Sequence, residues 1–190
     1  FIFNPKVFFS KSATSDYKVF FINQIIMLLI SPHLLTQITI ATALYFFFFE
    51  INFIDMGLFA TTPKYIIISL FTLTHFVVDD FSKYIVHRWM HRWPFLWALH
   101  KVHHSATNLT PMTVFRTHPL EGLVFTLRSA FAQGLTISTF VYLFGGGVDL
   151  YTVLGANLFV FLFNVFGSNL RHSHIGIRYW KWLEYILISP

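Results

Sequence analysis

The sequence predicts an all-α, multi-pass membrane protein of about 4–5 transmembrane helices, with a histidine-rich helical metal site at their cytosolic ends. Three observations lead there: too little charge to cover a water-facing surface, a series of apolar segments, and histidines concentrated between the third and fourth of them. Of 190 residues, 55% are hydrophobic and only 11% charged, against about 25% charged in a soluble domain. Mean hydropathy is +0.62. Phe occurs 25 times, and YFFFFE (45–50) reads as lipid contact. Cysteine is absent. That excludes disulfides, thiolate metal sites and cysteine nucleophiles, so a transition metal would need nitrogen and oxygen ligands. The net charge of +5 comes without a basic run or aromatic ladder suited to nucleic acid, and reads instead as orientation in a bilayer.

Apolar segments fall at about 19–30, 34–49, 65–78, 122–144 and 148–166. SPH (31–33) separates the first two as either a tight turn or a proline kink. The first is short for a span, so the side on which the N-terminus lies stays open. Segment 122–144 is long enough to cross a bilayer at ~1.5 Å per residue. GGGVD (145–149) breaks it and 148–166 returns, which reads as a helical hairpin. Arg128, inside the first arm, reads as a snorkelling interfacial anchor or as the partner of an acidic group near the metal site. Lys83, Arg88, Arg92, Lys101 and Arg116 precede the hairpin; Arg171, Arg178 and Lys181 follow it. The positive-inside rule then puts both flanks, with the histidines at 87–104 and 172–174, on the cytosolic side. The chain opens on Phe without a signal-peptide pattern and stops at ISP after an apolar segment, which suggests a fragment.

Ten histidines occur, at 33, 75, 87, 91, 100, 103, 104, 118, 172 and 174. Imidazole is the commonest neutral metal ligand. Helical positions i, i+3 and i+4 share a face, so His87 with His91, and His100 with His103 and His104, can each aim two or three nitrogens at one point. Pro94 lies between the groups and fits a break between two helices. One reactive metal needs three or four imidazoles and an open position. Five clustered histidines, with His118 and His172 on the same side, exceed one site and suggest two metals. Arg88 stands where the helical zinc-protease motif needs a glutamate base, which disfavours zinc hydrolysis. His33 beside Pro32 and His75 in an apolar run read as ordinary loop and core residues. A lone HxxxH arises by chance; HxxxH followed nine residues later by HxxHH rarely does. His174 stays open between ligand, partner of a ligand and surface residue.

DFSKYIVHRWMH (80–91), PFLWALHKVHHS (94–105), FRTHPLE (115–121) and NLRHSHIGI (169–177) together resemble the fatty acid hydroxylase and sterol desaturase superfamily, membrane-bound histidine-box di-iron oxygenases. The resemblance runs from about Asp80 to the C-terminus; the N-terminal segments match only in being apolar. It implies N-terminal membrane segments over 1–64 and a fatty acid hydroxylase-like catalytic domain over 65–190. It implies that His87, His91, His100, His103, His104 and His172 are iron ligands and the catalytic residues, with His118 a further ligand or the partner of one. Asp80, Tyr84, Glu121 and His174 would stand behind the ligands, fixing tautomer and ring orientation. The family carries one more H-x-x-H-H box, shortly after a segment like LEYILISP (183–190). This chain stops just before it, so it is expected to be C-terminally truncated, with an incomplete ligand set and no activity of its own.

The resemblance also implies two Fe ions, with O2 as co-substrate. The reaction would turn a lipid C–H bond, on a sterol, fatty acyl chain or related lipid, into an alcohol or a double bond. No side-chain acid, base or nucleophile can attack an alkane carbon. The implied partners are a lipid substrate from the bilayer and an electron donor of cytochrome b5-like or ferredoxin/reductase type. The implied location is a bacterial inner membrane or the endoplasmic reticulum, with the site facing the cytosol. WMHRWPFLW (89–97) suits the interface. Three rivals remain. A metal-binding membrane transporter would place ligands near mid-membrane on broken spans, whereas these lie in arginine-bearing segments. A non-catalytic membrane scaffold would keep only the fold. A haem electron carrier would leave most of the histidines unexplained.

Overall fold

The computed structural model describes residues 5–171 and 180–182, and among them no strand occurs. The helices are α1 (Pro5–Phe8), α2 (Lys11–Ile30), α3 (Gln37–Ile51), α4 (Lys64–Arg92), α5 (Pro94–His100), α6 (Pro119–Phe144) and α7 (Leu150–Arg171). Short 3-10 turns cover Ser31–His33, His103–Ser105 and Pro111–Phe115.

Their ends follow from local chemistry. The Ser10 hydroxyl accepts the Ala13 amide and starts α2; Thr36 does the same for α3 through Thr39. SPH makes a turn between these helices rather than a kink within one. α3 stops where Asn52 takes a left-handed conformation at φ 46°. α4 ends at Arg92 because Pro94 forces Trp93 into extended backbone, and Pro94 then opens α5. Gly145 makes the turn after α6 with φ 64°. Asp149 caps α7 through the Thr152 amide at 2.9 Å. The Lys64 ammonium at 2.8 Å, with that amide, holds the Asp149 carboxyl below the usual carboxylate range.

Among the described residues two helices, α2 and α4, are long and apolar enough to cross a membrane. α3 and the Leu150–Val165 stretch of α7 are apolar but shorter. α6 has the length, 26 residues, but Arg128, Gln133 and its hydroxyl residues dilute its apolar character. The expected first segment, 19–30, proves to be the second half of a 20-residue helix. Its polar first turns had hidden its length.

The chain divides into two compact units. One gathers the described parts of Phe1–Leu34, Tyr84–Phe125 and Phe163–Pro190; the other is built from Leu35–Lys83 and Thr126–Leu162. The second unit packs Ile67 and Phe71 of α4 against Phe140 of α6 and Ala156 of α7, which confirms an antiparallel α6–α7 hairpin. Buried polar groups inside it pair with one another. His75 Nε2 lies 3.2 Å from Asn157 Oδ1, which also accepts Gln133 Nε2 at 2.7 Å. Of the two readings of Arg128, the structure favours the partner of an acidic group, and that group is Asp79 of α4. Arg128 Nη1 donates to Asp79 Oδ1, the Asp79 carbonyl and Ser82 Oγ, each at 2.8 Å. Lys83 reaches the other Asp79 oxygen at 3.3 Å. An ion left unpartnered in an apolar helix packing would cost several kcal/mol, so these charges sit in pairs.

α3 crosses α6 at Gly134. A Cβ there would stand 2.9 Å from the Gln37 carbonyl and 2.8 Å from Ile40 Cγ2. Backbone cannot move aside as a side-chain tip can. Gly134→Val is therefore expected to lower unfolding stability by about 1–3 kcal/mol through overpacking. Gly155, with no neighbour within 4 Å of a Cβ, provides the contrast. Gly155→Ala should be neutral or gain about 0.5–1 kcal/mol from reduced backbone entropy. Thermal unfolding of the two variants in one detergent checks the sign of each.

Candidate metal centre

Four successive pieces of chain bring the histidines together in the first unit. The last two turns of α4 carry His87 and His91 on one face, as i, i+4 spacing dictates. Pro94 opens α5 after extended Trp93, and the final residue of α5 is His100. His103 and His104 follow on the 3-10 turn that closes at Ser105. Lastly, the first turn of α6 supplies Glu121. His100, His103 and His104 thus do not share one helix, as their spacing alone suggests. The helix stops at His100, and the tighter turn folds the next two imidazoles back onto it.

The result is a crowd of rings. Nitrogens of His87, His91 and His100 all lie within 4.8 Å of one another. His87 Nε2 and His91 Nε2 are 3.2 Å apart; His100 Nε2 and His104 Nε2 are 3.1 Å apart. The His91 ring packs 4.8 Å from His104, and His103 stacks on His100 at 5.4 Å. His100 is buried, His87 and His103 are half-buried, and His91 and His104 are exposed.

Glu121 sets the orientation of the buried ring. Both it and His100 are 2% exposed, and His100 Nδ1 lies 2.8 Å from Glu121 Oε1. A carboxylate only accepts, so Nδ1 carries the proton and Nε2 is left with its lone pair facing His104. The second carboxylate oxygen, Oε2, is buried without a hydrogen-bond partner among the described residues, which leaves negative charge beside the imidazoles.

This donor set fits a cation. Two imidazole nitrogens held ~2.0–2.1 Å from one ion, at angles from square to tetrahedral, stand about 2.9–3.4 Å apart. The pairs at 3.2 and 3.1 Å meet that spacing. Neutral nitrogen donors without thiolate suit a first-row transition metal.

The other expected residues fall as follows. His118 lies just ahead of α6, where its Nδ1 accepts the Leu120 amide at 3.2 Å; it is outside the three-nitrogen group of His87, His91 and His100. The Tyr84 hydroxyl accepts Arg88 Nη1 at 3.3 Å. Asp80 is buried on α4, seven residues before His87. His172 and His174 lie outside the described residues.

Two placements escaped the sequence reading. Trp97, taken only as an interfacial aromatic, packs 5.5 Å from His91 and 5.6 Å from His104 and walls one side of the cluster. Its position in α5, three residues before His100, was the available signal. Arg116, counted only as a surface cation, is buried against Asp16 of α2.

The fatty acid hydroxylase family model matches residues 72–190. The chain belongs to the fatty acid hydroxylase family. This member's three-nitrogen group and Glu121 lie inside the matched residues, and all of α2 lies outside them. The chain is also similar to the Delta(7)-sterol 5(6)-desaturase of Eremothecium gossypii, 36% identical over 73 residues, which is 38% of this chain and 20% of that protein. The likeness therefore spans about a fifth of the desaturase's length. No solved structure matches the chain.

Glu121→Ala should weaken metal binding by about 10–100-fold, the usual effect of removing the group that orients a ligating imidazole. Co2+ titration of detergent-purified protein, read by visible absorption, measures it. Unchanged affinity in a folded Glu121→Ala variant would mean that the His100–Glu121 bond serves packing alone.

Proposed function

We propose that the protein is a di-iron, O2-dependent lipid oxidoreductase of an integral, multi-pass type, a hydroxylase or desaturase acting on a sterol, fatty acyl or related lipid. The single observation that carries the reading is the convergence of His87, His91, His100 and His104, with Glu121 holding one of them from behind. Family membership supports the lipid class, and so does the relative named as a sterol desaturase.

Iron bound at these imidazoles would supply what side chains cannot, the reductive activation of O2 for attack on an unactivated C–H bond. The chain's own residues do the rest. His87, His91, His100, His103 and His104 offer neutral nitrogen ligands, with His118 and His172 as further candidates. Glu121 keeps the Nδ1 proton of His100 in place, so that Nε2 remains a donor. Trp97 packs against the flank formed by His91 and His104. Trp89 and Trp93 stack at 5.6 Å on the outer surface, where amphipathic rings suit a membrane–water boundary. Arg88, Arg92 and Lys101 nearby support a cytosolic orientation of the site, where a reductant of cytochrome b5 or ferredoxin/reductase type would deliver electrons.

The protein carrying this chain, purified from membranes, is expected to contain iron. With a reductant and O2 it should add oxygen or a double bond to an extracted lipid, as read by mass spectrometry. His100→Ala should lower that rate by at least about 100-fold, while His33→Ala stays within a few-fold of the parent. One zinc per chain, no iron and no lipid product would leave a non-catalytic scaffold. Lys101→Cys should label from the cytosolic face of sealed vesicles; labelling only from the other face would reverse the orientation.

A further inference from the structure

α2, which lies outside the residues that the family model matches, also grips the segment that follows the histidine turn. One stripe of α2 grips the segment 105–117. Ser12 Oγ accepts the Thr107 amide at 3.2 Å. Asp16 binds Thr113 and Arg116. Phe20 packs edge-on against Phe115 at 5.1 Å. Asn23 donates to the Thr117 carbonyl at 2.8 Å. Positions 12, 16, 20 and 23 are spaced four, four and three residues apart, so they share one helical face.

Arg116 is the centre of this contact, and every arm of its guanidinium is used. Nε pairs with Asp16 Oδ1. Nη2 donates to the Ser12 carbonyl at 2.6 Å. Nη1 donates to Ser105 Oγ at 3.2 Å. The Ser105 hydroxyl in turn donates to the Val102 carbonyl at 2.7 Å, and the Ser105 amide bonds the same carbonyl at 3.2 Å. Those two bonds close the turn that contains His103 and His104. Asp16 is fully buried and Arg116 nearly so.

We propose that Asp16 and Arg116 are positioning residues for the metal centre: the pair fixes Ser105 and thereby the turn that presents His103 and His104. Neither residue touches a metal. The inference rests on the metal reading above and adds the source of that turn's rigidity. Metal–ligand distances tolerate only about ±0.2 Å. His104 adjoins Ser105 in the chain, so slack at Ser105 is passed directly to its imidazole, now 3.1 Å from His100 Nε2. A planar guanidinium suits the task because its fork fixes two partners at once.

Two variants test this. Ser105→Ala cuts the tether and leaves the buried ion pair intact. Asp16→Leu/Arg116→Met removes both charges together, which spares the fold a lone buried ion and is often neutral or stabilising. Circular dichroism confirms helicity, and Co2+ titration well below the melting temperature reads affinity and ligand-field absorption. The double variant should bind Co2+ about 10–100-fold more weakly, with an altered absorption band. Ser105→Ala should shift both in the same direction by less. Amide exchange over 101–107 should quicken in both. Folded variants with the parent's affinity, spectrum and exchange would overturn the proposal. A parent that takes up no Co2+ would instead sink the metal reading, while faster exchange over 101–107 in the variants would still report the tether.

Discussion

The hydrogen bond from His100 to Glu121 is the constraint around which the histidine cluster is arranged. It joins two groups that are each 2% exposed, so water cannot compete for either. Breaking it would strand a carboxylate in the interior, at a cost of several kcal/mol. That cost fixes the ring. A fixed His100 presents a lone pair in one direction, and the neighbouring imidazoles need only be brought up to it. α4 does so with His87 and His91, and the turn after α5 does so with His103 and His104. The carboxylate sits in the first turn of α6, where the helix dipole also favours negative charge.

The same logic recurs away from the histidines. Asp79, Arg128 and Lys83 lie within apolar helices, and Asp16 of α2 meets Arg116 from the segment ahead of α6. Each is matched by an opposite charge on a separate element or one turn away. In so apolar a chain such pairs give direction to packing that hydrophobic contact alone leaves loose. Burial of Phe71 against Phe140 rewards many orientations of α4 and α6 about equally, whereas Arg128 reaching Asp79 and Ser82 rewards one.

α2, outside the family's matched residues, contacts the segment that follows the histidine turn. Its C-terminal half exposes Phe21, Ile22, Ile25, Leu28 and Leu29, and the helix is long and apolar enough to cross a membrane. A single stripe carries Ser12, Asp16, Phe20 and Asn23, and that stripe turns toward the segment leading from the histidine turn to Glu121.

The sequence by itself determined the helical class, the apolar character, the break at Pro94, the α6–α7 hairpin and the identity of the imidazole cluster. These follow from composition, from proline chemistry and from the i, i+4 spacing of His87 and His91, all of which are local. Its reading of Glu121 as the partner of an imidazole came from the resemblance of FRTHPLE, and the structure places that carboxylate on His100. Tertiary structure alone decided the rest. It ended α5 at His100 and folded His103 and His104 onto a tighter turn. It gave Arg128 to Asp79, and it brought Asp16 to Arg116 across 100 residues of chain. Local spacing reports which residues share a face; it carries no information about which distant charge will meet that face. For ions that an apolar packing cannot leave alone, that pairing is settled only when the helices pack.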